Sequence, residues 1–121
     1  MLIGLVKMKQ DNITMEAMRL QADLCKALSD PKRLLIIREL RSGERTVGEL
    51  TETLGLKQSN TSQHLAILRR LGVISPRREG NTVYYTLVNP KIAEACDLVH
   101  EVIAEHLQNR QLLSSLMQKS I

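Results

Sequence analysis

The sequence predicts a mainly α fold of the α+β class, with about five helices and a two-stranded β-hairpin. Apolar residues recur at spacings of three and four along several segments, which is typical of one face of a helix. Only the stretch 73–87 has two β-rich runs, and they flank a Gly80-Asn81 turn. Aromatic residues make up 2% of the chain, so the core must be aliphatic, which suits helix packing.

A local stop-and-start signal separates the first two predicted helices. The first helix is expected over about 14–28, after an N-terminal arm (1–13) that has no clear period and is expected to be flexible. Asp30 can accept hydrogen bonds from the free amides of the next helix, and Pro31 suits its first position. That second helix is expected to end before Gly43. The apolar positions of the two helices are Met15, Met18, Ala22, Cys25, Leu28, Leu34, Leu35, Ile37 and Leu40.

Two short helices joined by a glycine-containing turn are predicted next. Thr46 and Glu49 fit a capping box that opens a helix ending at Leu54, and Gly55 fits a left-handed cap. Another helix follows at about 58–71. This arrangement is a helix-turn-helix, whose second helix presents its first turns outward. The second helix is expected to bury Leu65, Leu68 and Leu71, with Thr61 and Ala66 nearby.

A hairpin and a long helix complete the prediction. The β-rich runs of 73–87 directly follow the helix-turn-helix, as the wing of a winged helix-turn-helix does. Asn89-Pro90 repeats the cap-then-proline signal and opens a helix over about 90–118. A chain of 121 residues suffices for one compact domain, which is predicted over 14–121.

The first two turns of the second helix of the pair are polar and carry no Lys, Arg, Asp or Glu. Ser, Thr and Asn are weak helix formers, so folding alone does not select them here. Between Lys57 and Arg78 the chain carries five Lys or Arg residues and no acid, within a net charge of +4. This local positive field favours a nucleic-acid partner. The polar run consists of Gln58, Ser59, Asn60, Thr61, Ser62, Gln63 and His64.

Several other classes are disfavoured. The sequence has no nucleophile with a plausible base, no phosphate-binding glycine loop and no paired carboxylates that suggest a cleft, so we expect neither an enzyme nor a cofactor. The apolar N-terminus is too short for a signal peptide or a membrane span, so we expect a cytoplasmic protein. RNA recognition usually relies on aromatic stacking, and only Tyr84 and Tyr85 are aromatic. A winged-helix protein-interaction module that does not bind DNA is an alternative, and it predicts an acidic or apolar recognition face.

Several separate motifs, in the right order, resemble those of the ArsR/SmtB family of bacterial repressors. The likeness spans roughly residues 20–106. Because the motifs occur together, they are far more specific than any one of them alone. They are 26–34 (KALSDPKRL), 47–50 (VGEL), 62–65 (SQHL), 68–69 (LR), 72–74 (GVI), 77–80 (RREG) and 83–85 (VYY).

The resemblance implies a transcriptional repressor that acts as a homodimer on double-stranded DNA. The dimer is expected to form through the first and last helices, about 14–28 and 90–118, and to place two recognition helices in successive major grooves. A narrow apolar stripe on each terminal helix agrees with this expectation. Two-fold symmetry then predicts a palindromic operator with half-sites about one helical turn apart.

The predicted DNA contacts divide by chemistry. The uncharged side chains of 58–64 can reach base edges or phosphates, since Gln and Asn match the donor and acceptor of adenine. Asn81, at the wing tip, is expected in the minor groove. Two alternatives stay open: His64 as a helix-packing residue, and Arg69 or Arg70 in an ion pair with a neighbouring acid. The predicted phosphate contacts are Lys57, Arg69, Arg77 and Arg78.

The resemblance also raises metal sensing, but the usual ligands are absent. The family's thiol site corresponds to Thr46, Gly48 and Thr51, and none of these supplies the sulfur that soft ions favour. In the family's zinc site on the last helix only Glu105 can ligate well, so no metal is expected at either site. Cys96 and His100, four apart, leave a novel half-site open. The zinc-site positions are Asn89, Lys91, Val102 and Glu105.

The two cysteines offer another hypothesis for sensing. Cys25 and Cys96 lie on the first and last helices, which pack together in this architecture, so a disulfide or polysulfide bridge between them can change the dimer. Relatives that sense reactive sulfur carry their cysteines nearer the positions of Arg38 and Ala104. The alternative is that both cysteines are buried apolar residues. The effector therefore stays unknown.

Overall fold

The structure, a computed structural model, describes the backbone of residues 2–119 and the side chains of 14–118. The chain divides into two units, residues 1–88 and 89–121. The first unit contains α1 to α4 and three strands, and the second contains α5. In chain order the elements are α1 (Leu2–Ala27), α2 (Pro31–Leu40), β1 (Arg45–Thr46), α3 (Val47–Leu54), α4 (Gln58–Arg70), β2 (Ile74–Glu79), β3 (Thr82–Leu87) and α5 (Lys91–Lys119).

The first helix begins earlier than predicted. Its first residue is Leu2, where the sequence analysis expects the helix to begin at about 14. The side chains of 1–13 lie outside the described residues, so the flexible arm stays a prediction. The single domain over 14–121 also stays a prediction.

The start of α2 follows its predicted cap. The backbone N–H groups of Lys32 and Arg33 donate to Oδ1 of Asp30 at 2.8 and 3.3 Å, and Pro31 occupies the first turn. These hydrogen bonds satisfy amides that have no partner within the helix. The cap-then-proline prediction is confirmed.

The turn between α3 and α4 forms as predicted. Oγ1 of Thr46 accepts from the N–H of Glu49 at 3.1 Å, and Oε1 of Glu49 accepts from the N–H of Thr46 at 3.3 Å. Gly55 ends α3 with a φ of 65°, in the left-handed region that favours glycine. Because α4 begins at Gln58, the two helices are joined by a turn of three residues, and the helix-turn-helix is confirmed.

The sheet contains the predicted hairpin and one further strand. β2 and β3 pair antiparallel on either side of Gly80 and Asn81. β1 pairs with the other edge of β3, with Arg45 opposite Tyr85, so the strand order is β1-β3-β2. A strand of two residues that leads directly into a capping box has no alternation of its own, and the sequence therefore gives no sign of it.

The core of the first unit is aliphatic, as predicted. Leu65 and Leu68 are buried on α4, whereas Leu71 is half-buried and Ala66 is exposed. Ala66 follows Leu65 by about 100° around the helix and therefore lies on the outer face. The buried residues of the unit are Ala27, Ile36, Ile37, Leu40, Leu50, Thr61, Leu65, Leu68, Val73 and Ile74.

The second unit is a long helix with a side-chain cap. The N–H of Lys91 donates to Oδ1 of Asn89 at 3.0 Å, which confirms the predicted start. α5 has 29 residues and is about 43 Å long at ~1.5 Å per residue. In the part of the chain that the structure describes, no helix combines the length and the apolar character needed to span a membrane.

Candidate nucleic-acid interface

The outward face of α4 is polar and uncharged over its first two turns. Gln58, Ser59, Ser62 and Gln63 are exposed, and Asn60 is half-buried. The exposed four lie on one face, because residues three and four apart are neighbours on a helix. Their side chains, and that of Asn60, make no hydrogen bond or ion pair with other residues in the described range. Their donors and acceptors are therefore available to a ligand.

Thr61 does not share this face. Its side chain is 0% exposed, and its hydroxyl donates to the carbonyl of Lys57 at 2.9 Å. The prediction that Thr61 contacts DNA is wrong, because a fully buried side chain cannot reach a base or a phosphate. Its spacing from Leu65 and Leu68 on the apolar face is the sequence signal that indicates burial.

His64 lies against the start of α2. Its side chain is 14% exposed, and its Nε2 is 4.0 Å from Oδ1 of Asp30. Its Nδ1 is 3.3 Å from Nη1 of Arg33. Desolvation acts to raise the pKa of Asp30, but hydrogen bonds from the N–H groups of Lys32 and Arg33 and the nearby charge of Arg33 act in the opposite direction, and the net effect lowers that pKa. These contacts favour the helix-packing alternative for His64 over direct DNA contact.

Four cations flank the polar face and the wing without compensating acids. Lys57, Arg69, Arg70 and Arg78 are exposed. No ion pair within the described side chains involves any of them, so the open ion-pair alternative for Arg69 and Arg70 is not observed there. Their charges are available to an anion.

Arg77 behaves differently from its neighbour. Its Nη2 and Nε donate to Glu44 at 2.7 and 3.1 Å, and its Nη1 donates to Glu79 at 3.0 Å. The guanidinium also lies 4.8 Å from the centroid of the Tyr84 ring. The hydrogen bond from Arg77 outweighs desolvation and lowers the pKa of Glu44, and the bonds to Glu44 and Glu79 raise the pKa of Arg77. Its role as a phosphate contact stays a prediction, but two carboxylates already share its charge.

The wing ends in an exposed amide. Asn81 is exposed and follows Gly80 in the two-residue turn. Gly80 has a φ of 62°, which suits a tight hairpin turn. Since Arg78 is also exposed near this end, the tip offers a cation and a hydrogen-bonding amide together.

The terminal helices expose many large apolar side chains. On α1, Met15, Met18 and Leu20 are more than half exposed. On α5 the exposed set runs along most of the helix, and exposure on this scale marks an interaction surface. Its members are Leu98, Val99, Val102, Ile103, Leu107, Leu112, Leu113, Leu116 and Met117.

The two cysteines lie in different settings. In the single chain Cys25 is exposed and Cys96 is half-buried, so one chain alone does not show the alternative in which both cysteines are buried. The predicted bridge between them involves both units and stays a prediction. Across the described residues, no three His, Cys, Asp or Glu side chains form a group that can hold a metal ion.

Known proteins share this pattern. A family profile described as "bacterial regulatory protein, arsR family" matches residues 30–75. The HTH-type transcriptional regulator Rv0081 of Mycobacterium tuberculosis, itself uncharacterized, is 41% identical over 93 residues, which cover 76% of this chain and 82% of the relative. This chain belongs to the ArsR family of bacterial regulatory proteins. The transcriptional activator HlyU of Vibrio cholerae is 42% identical over 82 residues, 68% of this chain and 76% of that relative.

Solved structures of similar proteins share the fold. The crystal structure of Rv0081 has a TM-score of 0.70 at 40% identity and covers 78% of this chain and 95% of that one. A solution structure from Mycobacterium bovis has a TM-score of 0.71 at 31% identity and covers 79% of this chain and 89% of that one. It is described as a homodimeric winged helix-turn-helix DNA-binding domain of a possible ArsR-family regulator. The predicted winged helix-turn-helix fold is confirmed.

Proposed function

We propose that this chain is a sequence-specific DNA-binding repressor that acts as a homodimer on a palindromic operator. The observation that carries the proposal is the exposed, uncharged polar face of the first two turns of α4, beside cations that pair with none of the described acids. Such a face is costly for a purely structural helix, because Ser and Asn favour caps and turns. It is well suited to base edges in a major groove.

The side chains take two roles in this proposal. Base edges are read by Gln58, Ser59, Ser62 and Gln63, with Asn60 at the margin of the face. The cations hold phosphates and set the register without reading sequence. They are Lys57, Arg69 and Arg70 around α4 and Arg78 on the wing, where Asn81 enters the minor groove.

A homodimer accounts for the exposed apolar surface of α1 and α5. Burying a large aliphatic side chain contributes about 1.5–3 kcal/mol, and at least nine such residues are exposed on α5. The Mycobacterium bovis neighbour is described as homodimeric. Two copies related by a two-fold axis would present two α4 helices to a palindromic site.

Duplex binding tests the proposal. The full chain is titrated into the DNA upstream of its own gene and into a scrambled duplex of equal length and base composition, at several salt concentrations. We expect preference for the promoter DNA, a stoichiometry of two chains per duplex, and affinity that falls steeply with salt because counterions are released. Equal and weak binding to both duplexes at low salt would remove the proposal.

The wing arginines should differ in a matched comparison. We expect Arg78→Ala to weaken binding to promoter and scrambled duplexes alike and to reduce the salt slope by about one, since one phosphate contact is lost. Arg77→Ala removes the same charge, but Glu44 and Glu79 already bind that guanidinium, so a smaller change in slope is expected. A larger slope change for Arg77→Ala than for Arg78→Ala would contradict this assignment.

Thiol-responsive control is a second candidate, and the exposure of the Cys25 thiol in the single chain favours it. Operator affinity is compared for reduced, oxidised, polysulfide-treated and zinc-loaded protein, with Cys25→Ser as the variant. A loss of affinity on oxidation that Cys25→Ser prevents would support this mechanism. Equal affinity in every state would remove both thiol and zinc sensing and leave a repressor that is constitutive or controlled by a small molecule.

A further inference from the structure

We propose that Arg33 and His64 are positioning residues that fix the recognition helix α4 to the end of α1. The inference rests on the proposed function, since it concerns how the base-reading face is held. Neither residue needs to touch DNA for this role. Arg33 lies on the first turn of α2, between the helix that exposes Met15 and Met18 and the helix that carries the polar face.

The guanidinium of Arg33 contacts both α1 and α4. Nε of Arg33 donates to the carbonyl of Ala27, and its Nη2 donates to the carbonyl of Lys26 at 3.4 Å. These carbonyls belong to the last turn of α1. The carbonyl of Lys26 also accepts from the N–H of Ser29 at 3.2 Å. The remaining Nη1 lies 3.3 Å from Nδ1 of His64 on α4. Because the guanidinium is planar and rigid, its contacts at α1 fix the position of the donor offered to α4.

The chemistry of the pair determines the state of the imidazole. Arginine has donors only, so Nδ1 of His64 must be the acceptor. In the neutral ring the proton then lies on Nε2, which faces Oδ1 of Asp30 at 4.0 Å. Asp30 is itself fixed as the cap of α2. The ring is therefore hydrogen-bonded to Arg33 through Nδ1, and its Nε2 lies near the carboxylate of Asp30 without a direct hydrogen bond.

His64 is well placed to act on the reading face. It directly follows Gln63 and lies one turn beyond Asn60, so a rotation of α4 about its axis moves these side chains together. The hydrogen bond between Arg33 and His64 resists such a rotation more than aliphatic packing alone does, because a hydrogen bond weakens steeply as its angle changes. Removing the link should reduce sequence preference and leave phosphate-driven binding unchanged.

The experiment compares promoter and scrambled duplexes for wild type, Arg33→Ala, His64→Ala and the double variant. We expect each single variant to lower the ratio of the two affinities about tenfold to hundredfold, as the loss of a base contact does, and the double variant to lower it no further. His64→Asn should restore the ratio, because its Oδ1 can accept where Nδ1 did and its helix propensity is similar. Arg38→Ala, an exposed charge-matched change on α2, should leave the ratio unchanged.

Three results would overturn the inference: an unchanged ratio in Arg33→Ala, additive losses in the double variant, or no rescue by His64→Asn. If Arg33→Ala does not fold, nitrogen NMR of the wild-type protein can identify the tautomer of the His64 ring. A neutral ring protonated on Nδ1 cannot accept the hydrogen bond from Arg33 and would refute the inference. A wild type without preference for the promoter would refute the proposed function itself. If wild type prefers the promoter duplex and Arg33→Ala keeps the same preference, only the positioning role is refuted.

Discussion

Glutamate at both Val99 and Ile103 is expected to convert the proposed dimer into a monomer and to weaken binding to the proposed operator at least a hundredfold. The two side chains are 63% and 51% exposed in the single chain, and they lie four residues apart on the apolar stripe of α5. Two ionised carboxylates buried in an apolar interface cost several kcal/mol without partners. Affinity falls because a monomer holds one half-site and loses the avidity of two, which is worth about 10²–10⁴.

A matched control separates the interface from added charge. Gln108 and Ser115 are exposed on α5 and lie about 160–180° around the helix from Val99. Glutamate at both positions adds the same two negative charges away from the stripe, so it should leave the dimer intact. Sedimentation at micromolar concentration measures the state of each variant. A Val99/Ile103 variant that stays dimeric would show that α5 joins the copies through another face, or that α1 suffices.

The local signals predicted most of the fold because they act within a few residues. Asp30 caps the helix that begins at the next residue, and the two halves of the Thr46–Glu49 capping box are three residues apart. Gly55 ends α3 through its own positive φ, which requires no contact with a distant residue. Each of these features follows from steric limits and unsatisfied amides, which depend little on the rest of the chain.

Features that depend on residues far apart in the chain could not be predicted from the sequence. β1 forms only because Arg45 and Thr46 find the edge of β3, and two residues carry no period. Glu44 precedes Arg77 by 33 positions, so counting acids between Lys57 and Arg78 could not reveal the carboxylate that binds this arginine. Strand register brings them together, and register is a property of the folded sheet.

Within the candidate site, composition and periodicity gave different answers for the same helix. The polar run from Gln58 to His64 was predicted as one contact surface because its residue types are alike. The structure divides it by angle: Ser62 and Gln63 face outward, Thr61 is buried, and His64 contacts α2. Residue type indicated the function of the helix, whereas helical period indicated which members can perform it.

That division makes the outward pair the sharpest test of base reading. Replacing Ser62 and Gln63 with alanine is expected to remove the preference for promoter over scrambled DNA, a loss of roughly hundredfold if each contact is worth about 1–3 kcal/mol. Affinity for the scrambled duplex should change little, because the cations that hold phosphates remain. The fold should be kept, since both side chains are exposed and alanine is a better helix former than either.

The chain offers a control of identical composition. Alanine at Ser115 and Gln108 makes the same two changes of residue type on the exposed face of α5, and it should preserve the preference fully. Competition titrations are done at two salt concentrations. They separate the part of the DNA affinity that depends on sequence from the part that comes from phosphate contacts. If the Ser62/Gln63 variant retained its preference, base reading would have to come from the wing or from the DNA's own shape, and α4 would serve only to anchor phosphates.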